Sequence, residues 1–127
     1  MFEKLELTRM AQALAAHSGA RMAVIAQNVA HADTPGFKAQ DLPSFDHVFA
    51  TEGEGMRATR AGHLGTGPNG MALVAEPAPG REAPNGNTVS LEGEMVKSVE
   101  ARQAHEMALA IYRATSDVVR ASLGRSR

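Results

Sequence analysis

Asn28-Val29-Ala30-His31-Ala32-Asp33-Thr34-Pro35-Gly36-Phe37-Lys38 is the stretch on which the reading of this chain turns. A proline ring pushes the residue before it out of the α region, so a helix arriving from the N-terminal side must stop near Thr34. Pro35-Gly36 then suits a type II turn. Proline presets the second position and glycine takes positive φ at the third.

Upstream, Glu3 to Asp33 contains no proline and a single glycine, Gly19, which predicts one long helix. One stripe runs through it: Leu7, Ala11, Leu14, Ser18, Met22, Ile25, Val29 and Ala32. Its steps are 4, 3, 4, 4, 3, 4, 3. This is a heptad seam with one stutter, which locally unwinds a coiled coil. Arg9, Gln12, Arg21 and Gln27 are assigned to the opposite face.

Downstream, residues 39–88 change character. They hold eight of the twelve glycines, five of the six prolines, and three arginines against six acids. Asn69-Gly70 and Asn85-Gly86 signal turns, and Met71-Ala72-Leu73-Val74 fits one short strand. Large apolar residues are too few to offset the entropy of ordering the segment, so it is expected to be flexible.

A second long helix is expected from Ser90 to about Leu123. Ser90 is the N-cap, Glu92 and Glu94 sit at the positive end of the dipole, and Gly124 is the stop. Its apolar stripe is Val96, Val99, Gln103, Met107, Ile111, Ala114, Val118 and Ala121. The fold class expected is mainly α. Long N- and C-terminal helices pair as a coiled-coil-like helical hairpin, around a flexible Gly/Pro-rich middle with room for a short β-hairpin. Residues 1–127 form one subunit, divided into 1–38, 39–88 and 89–127. The side chains assigned to helix packing are Leu14, Met22, Ile25 and Val29 in the first helix. In the second they are Val96, Val99, Met107, Ile111 and Val118.

Composition narrows the function classes. The formal net charge is −1, which gives nucleic acid or an anionic lipid surface nothing to hold. There is no cysteine, so disulfides and cysteine-ligated metals are excluded. No stretch approaches the ~18 apolar residues of a membrane span. The N-terminal residues lack the h-region of a cleaved secretory signal. His31, Asp33 and His47 are the best candidates for a metal site, but their spacing is not that of helical ligands, so no metal and no cofactor is expected. His17 and His105 are read as polar positions on helix faces. No Gly-x-Ser-x-Gly nucleophile motif or phosphate loop occurs, so no catalytic residues are assigned and the chain is not read as an enzyme. Leu109, Tyr112, Val119 and Leu123 lie partly off the second stripe. They call for a third surface, supplied by a neighbouring molecule.

The stretch Asn28 to Lys38 resembles the N-terminal signature of flagellar rod, hook and distal-rod proteins, Asn-x-Ala-Asn-x-x-Thr-Pro-Gly-aromatic-basic. The matching residues are Asn28, Ala30, Thr34, Pro35, Gly36, Phe37 and Lys38, while His31 replaces the second Asn. Ala39-Gln40-Asp41, Phe45 and the run Gly86 to Met95 are most similar to the proximal rod member of that family. Roughly residues 1–46 and 85–124 carry the resemblance. It implies a self-assembling axial subunit of the flagellar basal-body rod, the motor drive shaft in the periplasmic space, needed for motility. The partners it implies are copies of itself, other rod subunits, the adaptor at the membrane ring, and the flagellar type III export apparatus. Export would then proceed without a cleaved signal peptide. It further implies a packing role for Phe37 and contacts from Lys38 to a neighbour's carboxylates. Asn28 is assigned to the freed backbone groups at the helix end. A helical adaptor or export chaperone of a type III secretion system is the other class compatible with two Ala-rich helices. Such a protein has no use for the turn motif.

Overall fold

The computed structural model describes residues 2–51 and 73–124. Its elements are helix α1 (Phe2–Ala30), strand β1 (Gln40–Asp41), helix α2 (Phe45–Thr51), strand β2 (Glu76–Pro77) and helix α3 (Leu91–Gly124). At 1.5 Å per residue, α1 and α3 are about 44 Å and 51 Å long. They pack antiparallel. Asn28 meets Glu94, Arg21 reaches Glu100, and Ala15 meets His105, so numbers fall along one helix as they rise along the other. The expected helical hairpin is therefore the architecture of the chain.

The seam between the two helices is more regular than the sequence stripes suggested. In α1 the residues turned inward are Ala11, Leu14, Ser18, Arg21, Ile25 and Asn28, in steps of 3 and 4 with no stutter. In α3 they are Glu94, Lys97, Ala101, Ala104, Ala108, Ile111 and Thr115, again in alternating steps. This is the 3.5-residue repeat of a coiled-coil seam. The buried hydroxyls turn back on their own helices: Ser18 Oγ donates to Leu14 O at 2.7 Å and Thr115 Oγ1 to Ile111 O at 2.8 Å. Small side chains let the backbones approach, and the back-bonding satisfies the two hydroxyl donors within their own helices.

This corrects the packing residues assigned to α3 from sequence. Val96, Val99, Met107 and Val118 are 60%, 66%, 53% and 47% exposed, and only Ile111 of that group lies on the seam. In α1, Ile25 is buried, Leu14 and Met22 are half-buried, and Val29 is 44% exposed. Arg21, assigned to the outer face, lies on the inner one. The physical reason is that close approach of two helices selects small residues. A search for the most apolar stripe selects the large ones and finds the neighbouring face.

α1 ends as the Pro35 rule requires, with a tightened last turn. His31 N donates to both Gln27 O and Asn28 O, at 3.2 and 3.1 Å. α3 begins at the expected cap, where Ser90 Oγ accepts from Gly93 N at 3.3 Å.

Where it is described, the middle segment holds the short strand pair for which the sequence left room. β1 and β2 pair antiparallel, Gln40 with Pro77 and Asp41 with Glu76. Leu73 and Val74 are not in a strand, and the rest of that expected strand, with the Asn69-Gly70 turn, lies outside the described residues. α2 packs on α1 through Ala13 and Val48, with Phe45, Phe49 and Leu73 around them. His17 is buried there, not on an outer face. Its Nε2 lies 2.7 Å from Pro43 O, and its ring meets Phe45 edge-on at 5.8 Å. Hydrogen bonds from His17 and Asn28 on α1 to the backbone of Pro43 and Gln40 help to hold the segment, beside the Val48 cluster.

Candidate functional site: a polar junction at the connected end of the hairpin

Thr34 to Phe37 form the expected turn. Phe37 N donates to Thr34 O at 3.3 Å, and Gly36 has φ +73 at the third position. A second turn, Ala83 to Gly86, packs against it. Gly86 N donates to Ala83 O at 2.8 Å, Gly86 has φ +81, and Gly36 N donates to Asn85 O at 2.9 Å. A Cβ built on Gly86 would stand 3.4 Å from Gly36 Cα, so two glycines allow the turns to stack.

Three buried polar side chains bind this end together. Asn28 is 1% exposed. Its Oδ1 accepts from Gln40 N at 3.0 Å and its Nδ2 donates to Gln40 O at 2.7 Å, so its side-chain amide pairs with Gln40 as a strand backbone would. The same Nδ2 donates to Glu94 Oε2 at 3.1 Å, across the seam. Asn28 thereby ties α1, β1 and α3 at one point. The helix-end carbonyls assigned to it from sequence belong instead to Asn87. Asn87 Nδ2 lies within 3.0 Å of His31 O, Ala32 O and Thr34 O, and Asn87 Oδ1 accepts from Val89 N. Asn28 sits too early in α1, and on the seam, to reach those groups.

Glu94 is 2% exposed and is met on its other oxygen by Lys97 Nζ at 3.0 Å. Lys97 also lies 3.8 Å from Asp41, which Arg21 grips in a bidentate pair at 3.0 and 3.1 Å. Burial alone would raise the Asp41 carboxyl. The Arg21 guanidinium, the Leu42 N–H and Lys97 outweigh it and hold Asp41 below the usual carboxylate range. The hydrogen bond to Asp41 raises Arg21 in turn, against the opposing effect of its own burial.

The sign of the pH effect follows. A carboxylate whose pKa is lower folded than unfolded stabilises the fold above its unfolded value, near pH 4, and that stability is lost as pH falls through the folded value. Asp41→Asn is expected to be less stable than the parent by roughly 1–2 kcal/mol at neutral pH. The gap in melting temperature should close below about pH 4. A gap that stays constant down to pH 2 would remove the Arg21–Asp41 pair from the account.

The remaining motif residues have plain placements. Phe37 is half-buried and stacks on His31, centroids 4.5 Å apart. His31 Nδ1 lies 3.2 Å from Thr34 Oγ1. Lys38 donates to Gly86 O at 2.9 Å and pairs with Glu82 at 3.2 Å, both within the chain. Ala30 is the last residue of α1, and Thr34 and Pro35 are exposed on the turn. Among the described residues no group of three His, Asp or Glu is placed to hold a metal, and no helix is long and apolar enough to cross a membrane. The junction's groups are saturated by one another, an arrangement suited to fixing geometry.

Sequence reasoning missed Asn87, Glu94 and the Arg21–Asp41 pair. The available signal was polar residues falling on a heptad seam. Asn28 is three residues after Ile25, and Glu94 is seven before Ala101.

No family model matches the chain. The chain is similar to the flagellar basal body rod protein FlgB of Agrobacterium fabrum, at 28% identity over 116 residues, covering 83% of each chain. That coverage exceeds the two terminal regions that carried the motif resemblance. The turn motif and this similarity agree: both liken the chain to the flagellar basal body rod proteins.

Proposed function

We propose that this chain is a structural component of the bacterial flagellar basal-body rod, at its proximal position, and that it is not an enzyme. The observation that carries the reading is the saturated junction at Asn28 to Lys38, which sets a rigid end on a two-helix hairpin. The similarity to a named rod protein over most of both chains supports it. In this reading the hairpin is an axial subunit. Its own seam is completed by small residues, while Leu7, Met10, Val96, Val99, Met107 and Val118 remain exposed for packing against copies of itself and other rod subunits. The adaptor at the membrane ring and the type III export apparatus are its further partners, with passage to the periplasmic space by that apparatus.

The test is deletion of the gene, complemented by the parent sequence or by Gly36→Val, read as swimming and as basal bodies in the electron microscope. The expected result is loss of rod and filament with the membrane ring retained, rescued by the parent. Gly36→Val should accumulate in the cell yet fail to rescue. Nothing lies within 4 Å of a Cβ at Gly36, so the damage comes from φ +73, which costs valine roughly 1–3 kcal/mol at this turn. Normal flagella in the deletion strain would reject the rod reading in favour of an adaptor or export chaperone. Full rescue by Gly36→Val would reject the role of the turn.

A further inference from the structure

Among the described residues, Asn85-Gly86 is the one Asn-Gly pair. An asparagine side chain is open to attack by the backbone nitrogen of the next residue, and glycine hinders that attack least. The Gly86 nitrogen loses its proton to base and bonds to Asn85 Cγ. A cyclic imide closes and ammonia leaves. Water then opens the ring at either carbonyl. One opening leaves aspartate in place of Asn85. The other leaves isoaspartate, in which the chain runs through Cβ and Cγ and the former main-chain carbonyl ends as a carboxylate. No oxidant or reductant takes part. Asn85 is exposed, so base and water reach it.

The junction holds the attacking nitrogen. The peptide unit between Asn85 and Gly86 is planar and turns as one piece. Both of its polar groups are engaged: Asn85 O accepts from Gly36 N at 2.9 Å, and Gly86 N donates to Ala83 O at 2.8 Å. Asn85 has negative φ at the third position of that turn, which makes it type I. The next carbonyl is held as well, since Lys38 Nζ donates to Gly86 O at 2.9 Å. Ring closure needs the Gly86 proton removed and the peptide plane swung toward Cγ, so the first two hydrogen bonds must open. One contact works the other way. Asn87 N donates to Asn85 Oδ1 at 3.1 Å, where negative charge gathers as the nitrogen adds. It assists only a nitrogen that is already free, so the held peptide unit decides the rate.

We propose that Asn85 is a site of spontaneous deamidation that the folded junction keeps closed and that unfolding opens. The isoaspartyl product adds one atom to the backbone of the turn. Gly86 then cannot stay stacked on Gly36 while Asn87 stays on the end of α1. The reaction is therefore a lasting mark of time spent unfolded. This chemistry belongs to the chain alone and does not rest on the rod reading.

The sequence Pro-Asn-Gly occurs twice, so Asn69-Gly70 supplies a chemical standard. The whole chain is kept in mildly alkaline buffer with and without guanidinium chloride, and its peptides are weighed for the gain of one mass unit. In denaturant, Asn69 and Asn85 should convert at similar rates. In the folded chain, Asn85 should convert about tenfold more slowly than in denaturant, or slower still, because the turn must first open locally. Asn87→Ala loosens the junction, so it should speed conversion of Asn85 in the folded chain and leave the rate in denaturant unchanged. Isoaspartyl chain purified from an Asn69→Gln parent should melt below that parent. Asn85→Asp, with the same charge on an ordinary backbone, should melt close to its own parent. Conversion of Asn85 as fast in the folded chain as in denaturant overturns the proposal. So does an Asn87→Ala chain that protects Asn85 as fully as the parent does, or an isoaspartyl chain as stable as its parent.

Discussion

Asn28→Asp should destabilise the folded chain by about 3–5 kcal/mol at neutral pH, the cost of an uncompensated charge beside a buried one. The substitution reverses two of the three interactions at this side chain. The donor to Gln40 O becomes an acceptor facing an acceptor, and the donor to Glu94 Oε2 becomes a second carboxylate against it. Only the acceptor for Gln40 N is kept. Asn28→Ala should cost less, about 2–3 kcal/mol, because it leaves groups unpaired without adding repulsion. The measurement is urea unfolding followed by circular dichroism. Glu94→Gln placed in the Asn28→Asp chain supplies an amide that donates to the new carboxylate, so it should recover part of the loss. Destabilisation by Asn28→Asp no larger than by Asn28→Ala, or no recovery in the double variant, would mean that Glu94 and Asn28 do not share this contact.

The second large effect falls on the end of α1. Asn87→Ala should cost about 1–3 kcal/mol, since it strips hydrogen bonds from the part-buried end of α1 and from Val89 N. His31 O keeps Thr34 N and Thr34 O keeps Phe37 N, so Ala32 O is the carbonyl that depends most on Asn87. Its signature is local. Hydrogen exchange should quicken at the Thr34 to Phe37 turn and at Val89, while amides near Ala108 in the seam keep their protection relative to global unfolding. Uniform loss of protection along the hairpin would show that Asn87 acts on the whole fold and not on the cap. Asn87→Asp should be at least as damaging, because a carboxylate cannot donate to any of the three carbonyls.

Much of the architecture was legible in local chemistry. The stop near Thr34, the type II turn, the Ser90 cap and the two long helices each rest on one residue's conformational rule, and the structure contains all of them. The motif resemblance and the similarity to a flagellar rod protein agree, because the motif's residues have fixed spacing along one short stretch. α2 was missed. Its seven residues are too few to show a helical period, and its place depends on α1 offering Ala13 and His17 beneath it.

The sequence by itself therefore determined where each long helix begins and ends, and where the chain must turn, since those depend on φ preferences and on caps within a few residues. Which face of each helix meets the other was decided only by tertiary structure. A stripe of Val and Met and a stripe centred on Ala101, Ala104, Ala108 and Thr115 both repeat at helical spacing along α3. Close packing of two backbones takes the small one, and sends the large one outward. Pairings such as Asn28 with Glu94 and Arg21 with Asp41 lay beyond sequence for the same reason. A buried polar group reveals its partner only when the chain has brought the two within hydrogen-bond distance.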